Sequence, residues 1–365
     1  MTKSITPINS LDSQNKDKQI EGILQNYSKY RISASDQIKP PVPVISISGS
    51  SISTEGNITV LCGDAKSGKS ALCNVILAGA INTPGNKIDG FTGFDVSENA
   101  TGKAVLHFDT EQAKHQHAKT LLNGILSRVG LTQEPPFLMT YNIRELDIKD
   151  YQSVCEKLFH AANHKYKGIH LAVIDGIADF IGSVNDEAES NKIIHFFEKL
   201  AIKYKTPIIV VVHNNPNSEK QRGHLGSQLQ RKAESVLAIK RNGNVSHIDP
   251  RFLRGAGIAD IPMIQFEYDA TKGYHVSCGI HVKIDKEEKH LRELEELVEK
   301  VFSTTPIKYK TAAAGLMDLT RLSLRSVKTK IKEMLEMELI TKNKDGLYVI
   351  MDDLPELSDD ILEIE

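Results

Sequence analysis

Between the apolar run NITVLCG (57–63) and the helix-like ALCNVILAGA (71–80) stands GDAKSGKS, residues 63–70. The spacing Gly63-x4-Gly68-Lys69-Ser70 joins a strand to a helix through a loop whose glycines let backbone N–H groups wrap a phosphate. The same strand-to-helix rhythm repeats downstream. AVLHFD is followed by EQAKHQHAKTLLNGILSRV, LAVIDG by ESNKIIHFFEKLAIKY and PIIVVVH by GSQLQRKAES; VLAIKR then leads into the β-rich HIDPRFLRG and IPMIQFEYD. Such alternation predicts an α/β fold, a P-loop core whose mostly parallel sheet is covered on both faces. Function in such a sheet belongs at the carboxyl ends of the strands.

The candidate nucleotide contacts are Gly63, Asp64, Ala65, Lys66, Ser67, Gly68, Lys69, Ser70 and Ala71. Lys69 is spaced to reach the β- and γ-phosphates of ATP or GTP. Ser70, in the first turn of a helix whose dipole favours anions, is spaced to hold Mg²⁺. The other strand ends supply the remaining chemistry. Asp175 closes LAVID, a position from which a carboxylate holds Mg²⁺ through its water shell, although strands also end in Asp for turn reasons alone. Glu111, in the TEQ after AVLHFD, is placed to polarise the water that attacks the γ-phosphate; a first-turn Glu stabilised by a helix dipole reads the same way. His213 ends PIIVVVH and leads into NNPNSEKQRGHLGSQLQRK, where Lys220, Arg222, Arg231 and Lys232 face one acidic residue, Glu219. A satisfied polar residue is the plain reading of that histidine. A link between hydrolysis and a mobile basic loop that holds a polyanion is the functional one.

Composition restricts the partners. Across 365 residues, 45 Lys and Arg nearly cancel 47 Asp and Glu, a net charge of −2, so a nucleic-acid footprint has to be local. Four scattered cysteines form no CxxC pair, and no apolar stretch approaches a membrane span. A cytoplasmic protein is the expectation. Residues 1–45 are polar, close on the Pro-rich KPPVPV and read as an arm with one short helix at KQIEGILQNYSKY; 46–284 read as the ATPase domain.

The order of phosphate loop, HFDTEQ, VIDG, VVHNN and RGHLGSQLQRKAESVLAIKR resembles the RecA-like motor ATPases. More narrowly it is similar to the RepA-type and DnaB-type replicative helicases and to RepA-like ATPases of mobile elements in Bacteroidetes-type bacteria. The resemblance covers roughly residues 30–285 and implies a RecA-like core in a ring, usually a hexamer. Such a ring hydrolyses ATP between neighbours and grips single-stranded DNA. It further implies Glu111 as catalytic base, His213 as γ-phosphate sensor, and a basic finger on a late β-hairpin. IDPRFLRGAG offers Arg254 for that role, with Arg251 as partner or substitute. Two departures stand out. About 25 residues around NTPGNKIDGFTGFDVSENATGK intervene before the second strand and suggest a hairpin, and GSVNDEAESNK after Asp175 is acidic where a DNA loop is expected to be basic. The 214–232 loop, with Lys220 and Arg222, is therefore the better DNA contact.

The C-terminal region, 285–350, reads as three helices and a hairpin, a small winged helix-turn-helix. Ser323 caps the third helix, in which Val327, Ile331 and Leu335 share one face and Arg325, Lys328 and Lys332 another. Residues 303–344 hold nine basic and four acidic residues, so a DNA footprint belongs here; a solvated face of a protein-binding module is the alternative. The acidic tail, 351–365, is either solvating or competes with DNA for the basic helix. In the second case its deletion tightens DNA binding at low salt. Together these readings describe an ATP-driven DNA motor in plasmid or mobile-element replication, with a primase, initiator or relaxase as possible partner. An ATP-dependent initiator or regulator that does not translocate is the alternative. A small-molecule phosphotransferase lacks an acceptor site or lid in this sequence.

Overall fold

A computed structural model describes residues 10–215, 221–255, 257–258, 261–281, 286–302 and 305–351. Helix α1 (Ser10–Asn26) precedes the antiparallel pair β1 (Pro43–Ile47) and β2 (Ser50–Thr54). β3 (Ile58–Gly63) runs into α2 (Lys69–Ile81), and β4 (Phe94–Val96) returns to pair with β1. β5 (Ala104–Asp109) leads to α3 (Lys114–Lys119), which continues as a π-helical turn over Thr120–Ile125 and a 3-10 turn over Leu126–Val129. Then follow β6 (Leu138–Asn142), α4 (Ile148–Tyr166), β7 (Ile169–Asp175), α5 (Glu187–Tyr204), β8 (Ile208–His213), α6 (Gly223–Lys232) and β9 (Ser235–Asn242). β10 (Val245–Leu253), β11 (Met263–Asp269) and β12 (Tyr274–His281) complete the large sheet.

That sheet has nine strands in the order β12-β11-β10-β9-β3-β8-β7-β5-β6. Every neighbouring pair from β9 to β6 is parallel, and β10, β11 and β12 are added antiparallel. The parallel strands are aliphatic because both faces are covered. Leu61, Val105, Val173 and Val211 face α2, whereas Val60, Phe108, Ile174 and Val210 face Phe159 of α4 and Phe197 of α5. Each such aliphatic side chain contributes about 1.5–3 kcal/mol through burial. Local signals set the ends: Asp186 caps α5 by accepting the Glu189 N–H at 2.9 Å, and Lys205 ends that helix in a left-handed conformation.

Strand order positions the site. β8 lies between β3 and β7, and β5 lies beyond β7. Gly63 is in register with His213, and Asp109 with Asp175, so the ends of four strands converge above α2. Gly176, at φ 102°, turns the chain after β7; a Cβ there would collide with the Thr110 hydroxyl.

Three expectations change. The arm helix spans Ser10–Asn26 rather than starting near residue 18, only a 3-10 turn at Ser28–Tyr30 follows it, and the Pro-rich segment joins a sheet from Pro43. The insertion before β5 is no hairpin: its strand β4 pairs with β1 across the chain, and Gly79 of α2 packs against Val96. The segment after His213 is mostly helix, since α6 occupies Gly223–Lys232 and buries Leu225 and Leu229; residues 216–220 lie outside the description.

The C-terminal elements are α7 (Lys286–Val301), α8 (Tyr309–Thr320), α9 (Leu324–Glu336), β13 (Ile340–Lys342) and β14 (Tyr348–Ile350). They share a small core that includes Leu294, Val298, Leu316, Val327, Ile331 and Met334. Ser323 caps α9, accepting the Ser326 N–H at 3.3 Å. Met334, rather than the partly buried Leu335, completes the apolar stripe with Val327 and Ile331. Among the described residues, no helix is long and apolar enough to cross a membrane.

Candidate active site

The phosphate loop leaves β3 at Gly63 and turns tightly, with the Ser67 N–H donating to the Asp64 carbonyl at 3.3 Å. Gly68 then starts α2 at φ 106°, where a Cβ would lie only 2.8 Å from the Phe266 ring. Only glycine admits both that conformation and that neighbour. The first N–H groups of α2 have no partner inside the helix and point to where an anion is stabilised.

Lys69 is 6% exposed, and its ammonium donates to the carbonyls of Gly63 (3.0 Å) and Asp64 (2.7 Å) and to Nδ1 of His213 (3.2 Å). Burial pushes its pKa down, against the pull of Glu111 and Asp175. An ammonium only donates, so His213 Nδ1 is the lone-pair nitrogen and Nε2 carries the hydrogen. That N–H points at the Glu111 carboxylate, 3.2 Å away, and its donation holds Glu111 below the usual carboxylate range. Lys69, His213 and Glu111 thus form one hydrogen-bonded chain across the ends of β3, β8 and β5.

Asp175 is buried at the end of β7, where desolvation, then the charges of Asp109 and Glu111, push its pKa up to about 7; Lys69 opposes the shift. A buried carboxylate crowded by like charges fits a divalent cation. Among the described residues, His107, Asp109 and Asp175 bring ligand-capable atoms within 4.8 Å of one another. Asp109 is already occupied: its oxygens accept the N–H groups of Glu111 (2.9 Å) and Gln112 (2.8 Å) and the Gln112 amide (2.6 Å), and Oδ2 lies 3.3 Å from Nδ1 of His117. The exposed Ser70 hydroxyl and Asp175 remain as the cation's candidate protein contacts.

A feature that sequence reasoning missed adjoins the loop. A cavity of about 240 Å³ opens beside Ser70 and Ala71, with Asn74, Asn123, Tyr268 and Tyr274 among its walls. Buried Arg128 braces it, donating to the carbonyls of Gly124 (2.8 Å), Asp89 (2.7 Å) and His275 (2.6 Å) and stacking on Tyr274 at 4.4 Å. Desolvation lowers that guanidinium to about 10. The only sequence trace of this pocket is a pair of tyrosines two hundred residues past the phosphate loop.

The predicted basic residues lie elsewhere. Arg251 stands within β10 rather than at a hairpin tip, 2.9 Å from the Asp249 carboxylate. Arg254 follows β10 and donates to the carbonyls of Lys232 (3.0 Å) and Arg231 (3.3 Å) at the end of α6. Its neighbour Leu253 pairs with Ser235 at the start of β9, whereas Gly63 pairs with Ile239 further along the same strand. Arg254 is therefore at the far end of the sheet from its own phosphate loop. Arg222 is exposed just before α6 and lines a cleft with Asp179 and Asn185; Lys220 lies outside the described residues. Arg325, Lys328 and Lys332 are exposed on α9, with Lys332 paired to Glu336 at 3.0 Å.

A phosphate loop between parallel strands, with acidic groups on the neighbouring strand ends, defines a P-loop ATPase-type protein. The family model described as an AAA domain matches residues 31–219, just over half of the chain, and the chain belongs to that family. The match contains Lys69, Glu111, Asp175 and His213 and ends before α6, Arg251 and Arg254. Comparison with curated proteins gave no match.

Proposed function

We propose that the protein is an ATP-hydrolysing, ring-forming motor acting on single-stranded DNA in plasmid or mobile-element replication, in the manner of RepA-type and DnaB-type helicases. The observation that carries this reading is the chain from Lys69 through His213 to Glu111, which among the described residues has no arginine hydrogen-bonded to it, while Arg254 lies at the other end of the sheet. Loop amides from Gly63 to Ala71 cradle the phosphates of ATP. Lys69 exchanges the loop carbonyls for phosphate oxygens and leaves His213. His213 then reports the γ-phosphate, while Glu111 takes the proton of the attacking water. Ser70 and Asp175 would hold Mg²⁺, which when bound would supply charge neutralisation at the phosphates. Arg254 of a neighbouring copy, with Arg251 beside it, completes the site.

The arm supports self-association. Ile20, Ile23 and Leu24 of α1, with Tyr27 just past its end, follow the spacing i, i+3, i+4 and i+7, each more than half exposed, an apolar face suited to an adjacent copy. In this reading 1–45 is the arm, 46–284 the RecA-like motor, 285–350 a winged-helix module and 351–365 the tail. Arg325, Lys328 and Lys332 contact DNA phosphates from α9, as do Arg222 just before α6 and Lys220, which lies outside the described residues.

Mass measurement with ATP and single-stranded DNA tests the ring, and displacement of a forked duplex strand tests the motor. A strict monomer under all conditions contradicts the proposal. A second reading, an ATP-dependent initiator that does not translocate, draws support from the loop after Asp175. Its acids are engaged in the chain itself, Asp186 as a helix cap and Glu189 on the N–H groups of Gly182 (3.0 Å) and Ser183 (3.1 Å). ATPase activity stimulated by DNA without strand displacement would favour that reading.

A further inference from the structure

Among the described residues Glu111 has one side-chain partner, His213, yet its backbone is held more firmly than that bond explains. The holding group is Asp109, 0% exposed, whose Oδ1 accepts the N–H groups of Glu111 and Gln112 and whose Oδ2 accepts the Gln112 amide. The fourth contact to Asp109 begins a buried chain. Nδ1 of His117 lies 3.3 Å from Oδ2, Nε2 of His117 lies 2.6 Å from the Thr140 hydroxyl, and that hydroxyl lies 2.9 Å from Nδ1 of His107.

The direction of every hydrogen in the chain follows from one end. A carboxylate engaged by N–H donors accepts only, so Nδ1 of His117 carries hydrogen and Nε2 is a lone pair. Thr140 must then donate to Nε2, which leaves its oxygen to accept from Nδ1–H of His107. Burial lowers His107 to about 3 and lowers His117 against the opposing charge of Asp109, so both shifts favour the neutral imidazole. The 3.5 Å approach of the Asn142 amide to His117 is not a bond in this scheme, because that nitrogen holds its hydrogen; the same amide donates at 2.8 Å to the Gln112 carbonyl. Strand register brings the groups together, since His107 stands opposite Thr140, and Asp109 opposite Asn142, across β5 and β6.

We infer that His107, Thr140 and His117 are positioning residues: they orient Asp109, which sets the peptide N–H of Glu111 and so the place of the carboxylate above the nucleotide. The inference rests on the reading of Glu111 as the base. On the opposite side, the Thr110 hydroxyl bonds Asp179 (2.6 Å) and the Asp175 carbonyl (2.9 Å), so the turn that carries Glu111 is gripped from β6 and β7 at once. Misplacing a reacting group by about 1 Å costs up to about 10²-fold in rate.

The decisive variant is Thr140→Val, which keeps shape and removes the hydroxyl, compared with Thr140→Ser, which retains it. Thr140→Val should lower kcat at least about tenfold with KM for ATP within about twofold, and Thr140→Ser should restore most of the loss. In a Glu111→Gln background the valine should have no further effect on residual turnover. Equal kcat for wild type and Thr140→Val, with Glu111→Gln inactive, overturns the positioning role alone. Full turnover by Glu111→Gln overturns both it and the assignment of the base. Additive losses in the double variant mark general damage and also overturn the inference. Independently of any variant, imidazole nitrogen NMR of the intact protein should find His107 and His117 neutral with hydrogen on Nδ1; hydrogen on Nε2 in both contradicts the chain.

Discussion

The strand-end site and the basic side chains at Arg254 and on α9 are both rich in charge, yet the chain treats them oppositely. At the strand ends each group is held by another: Lys69 by two carbonyls and His213, Glu111 by His213, and Asp109 by three N–H bonds and His117. Arg254, Arg325, Lys328 and Lys332 are exposed; Lys332 meets only the surface carboxylate of Glu336, and Arg254 rests on the end of a helix remote from its own phosphate loop. Chemistry performed inside one chain is organised in advance, where low dielectric makes every dipole count. The basic groups at Arg254 and on α9 are left at the surface.

The sharpest way to break this contrast is Arg254→Ala. As a finger for the neighbouring site it should cost roughly 10³-fold or more in turnover of the assembled protein, with ATP binding preserved. Mixing Arg254→Ala with Glu111→Gln subunits should then recover activity at hybrid sites, whereas a mere clasp on α6 would leave turnover intact. Glu111→Gln comes next, lowering phosphate release by about 10²–10⁴-fold while fluorescent-nucleotide titration stays unchanged.

Asp175 sharpens the inner half of the comparison. Its folded pKa, about 7, lies above the ordinary 3.8, so the folded protein binds that proton more tightly than the unfolded chain. The stability this contributes is fully present below about pH 4 and is lost as pH rises through 7. The loss is on the order of 4 kcal/mol. Urea midpoints measured with a chelator at pH 5 and pH 8 should show the loss, and Asp175→Asn should flatten it. The smallest effect belongs to the outer half. Replacing Lys328 and Lys332 with Ala should weaken DNA binding without sequence preference and reduce the salt slope by about two; an unchanged slope would favour a protein-binding face for α9.

Much of this was legible locally. The phosphate loop, the glutamate of TEQ after AVLHFD, the aspartate ending LAVID, the histidine ending IIVVVH and the Ser323 cap are short-range signals, in which neighbours in sequence stay neighbours in space. The grip on Asp109 was not, because His117 and Thr140 meet only when β6 lies beside β5 and α3 folds over both. Nor was the pocket closed by Arg128, whose acceptors come from residues 89, 124 and 275. β4 misled the sequence reading for the same reason: an isolated three-residue strand has no local hairpin partner and finds β1 instead.

By itself, then, the order of residues determined which groups stand at strand ends and which helix faces are apolar or basic, because strand alternation, glycine loops and caps act over a few residues. Tertiary structure decided which groups touch. Seating β8 between β3 and β7 brings His213 to Lys69 and Glu111, and returning β10 antiparallel carries Arg254 away from its own phosphates. Strand order is chosen by burying two aliphatic faces at once, a sum over the whole sheet that no single segment contains.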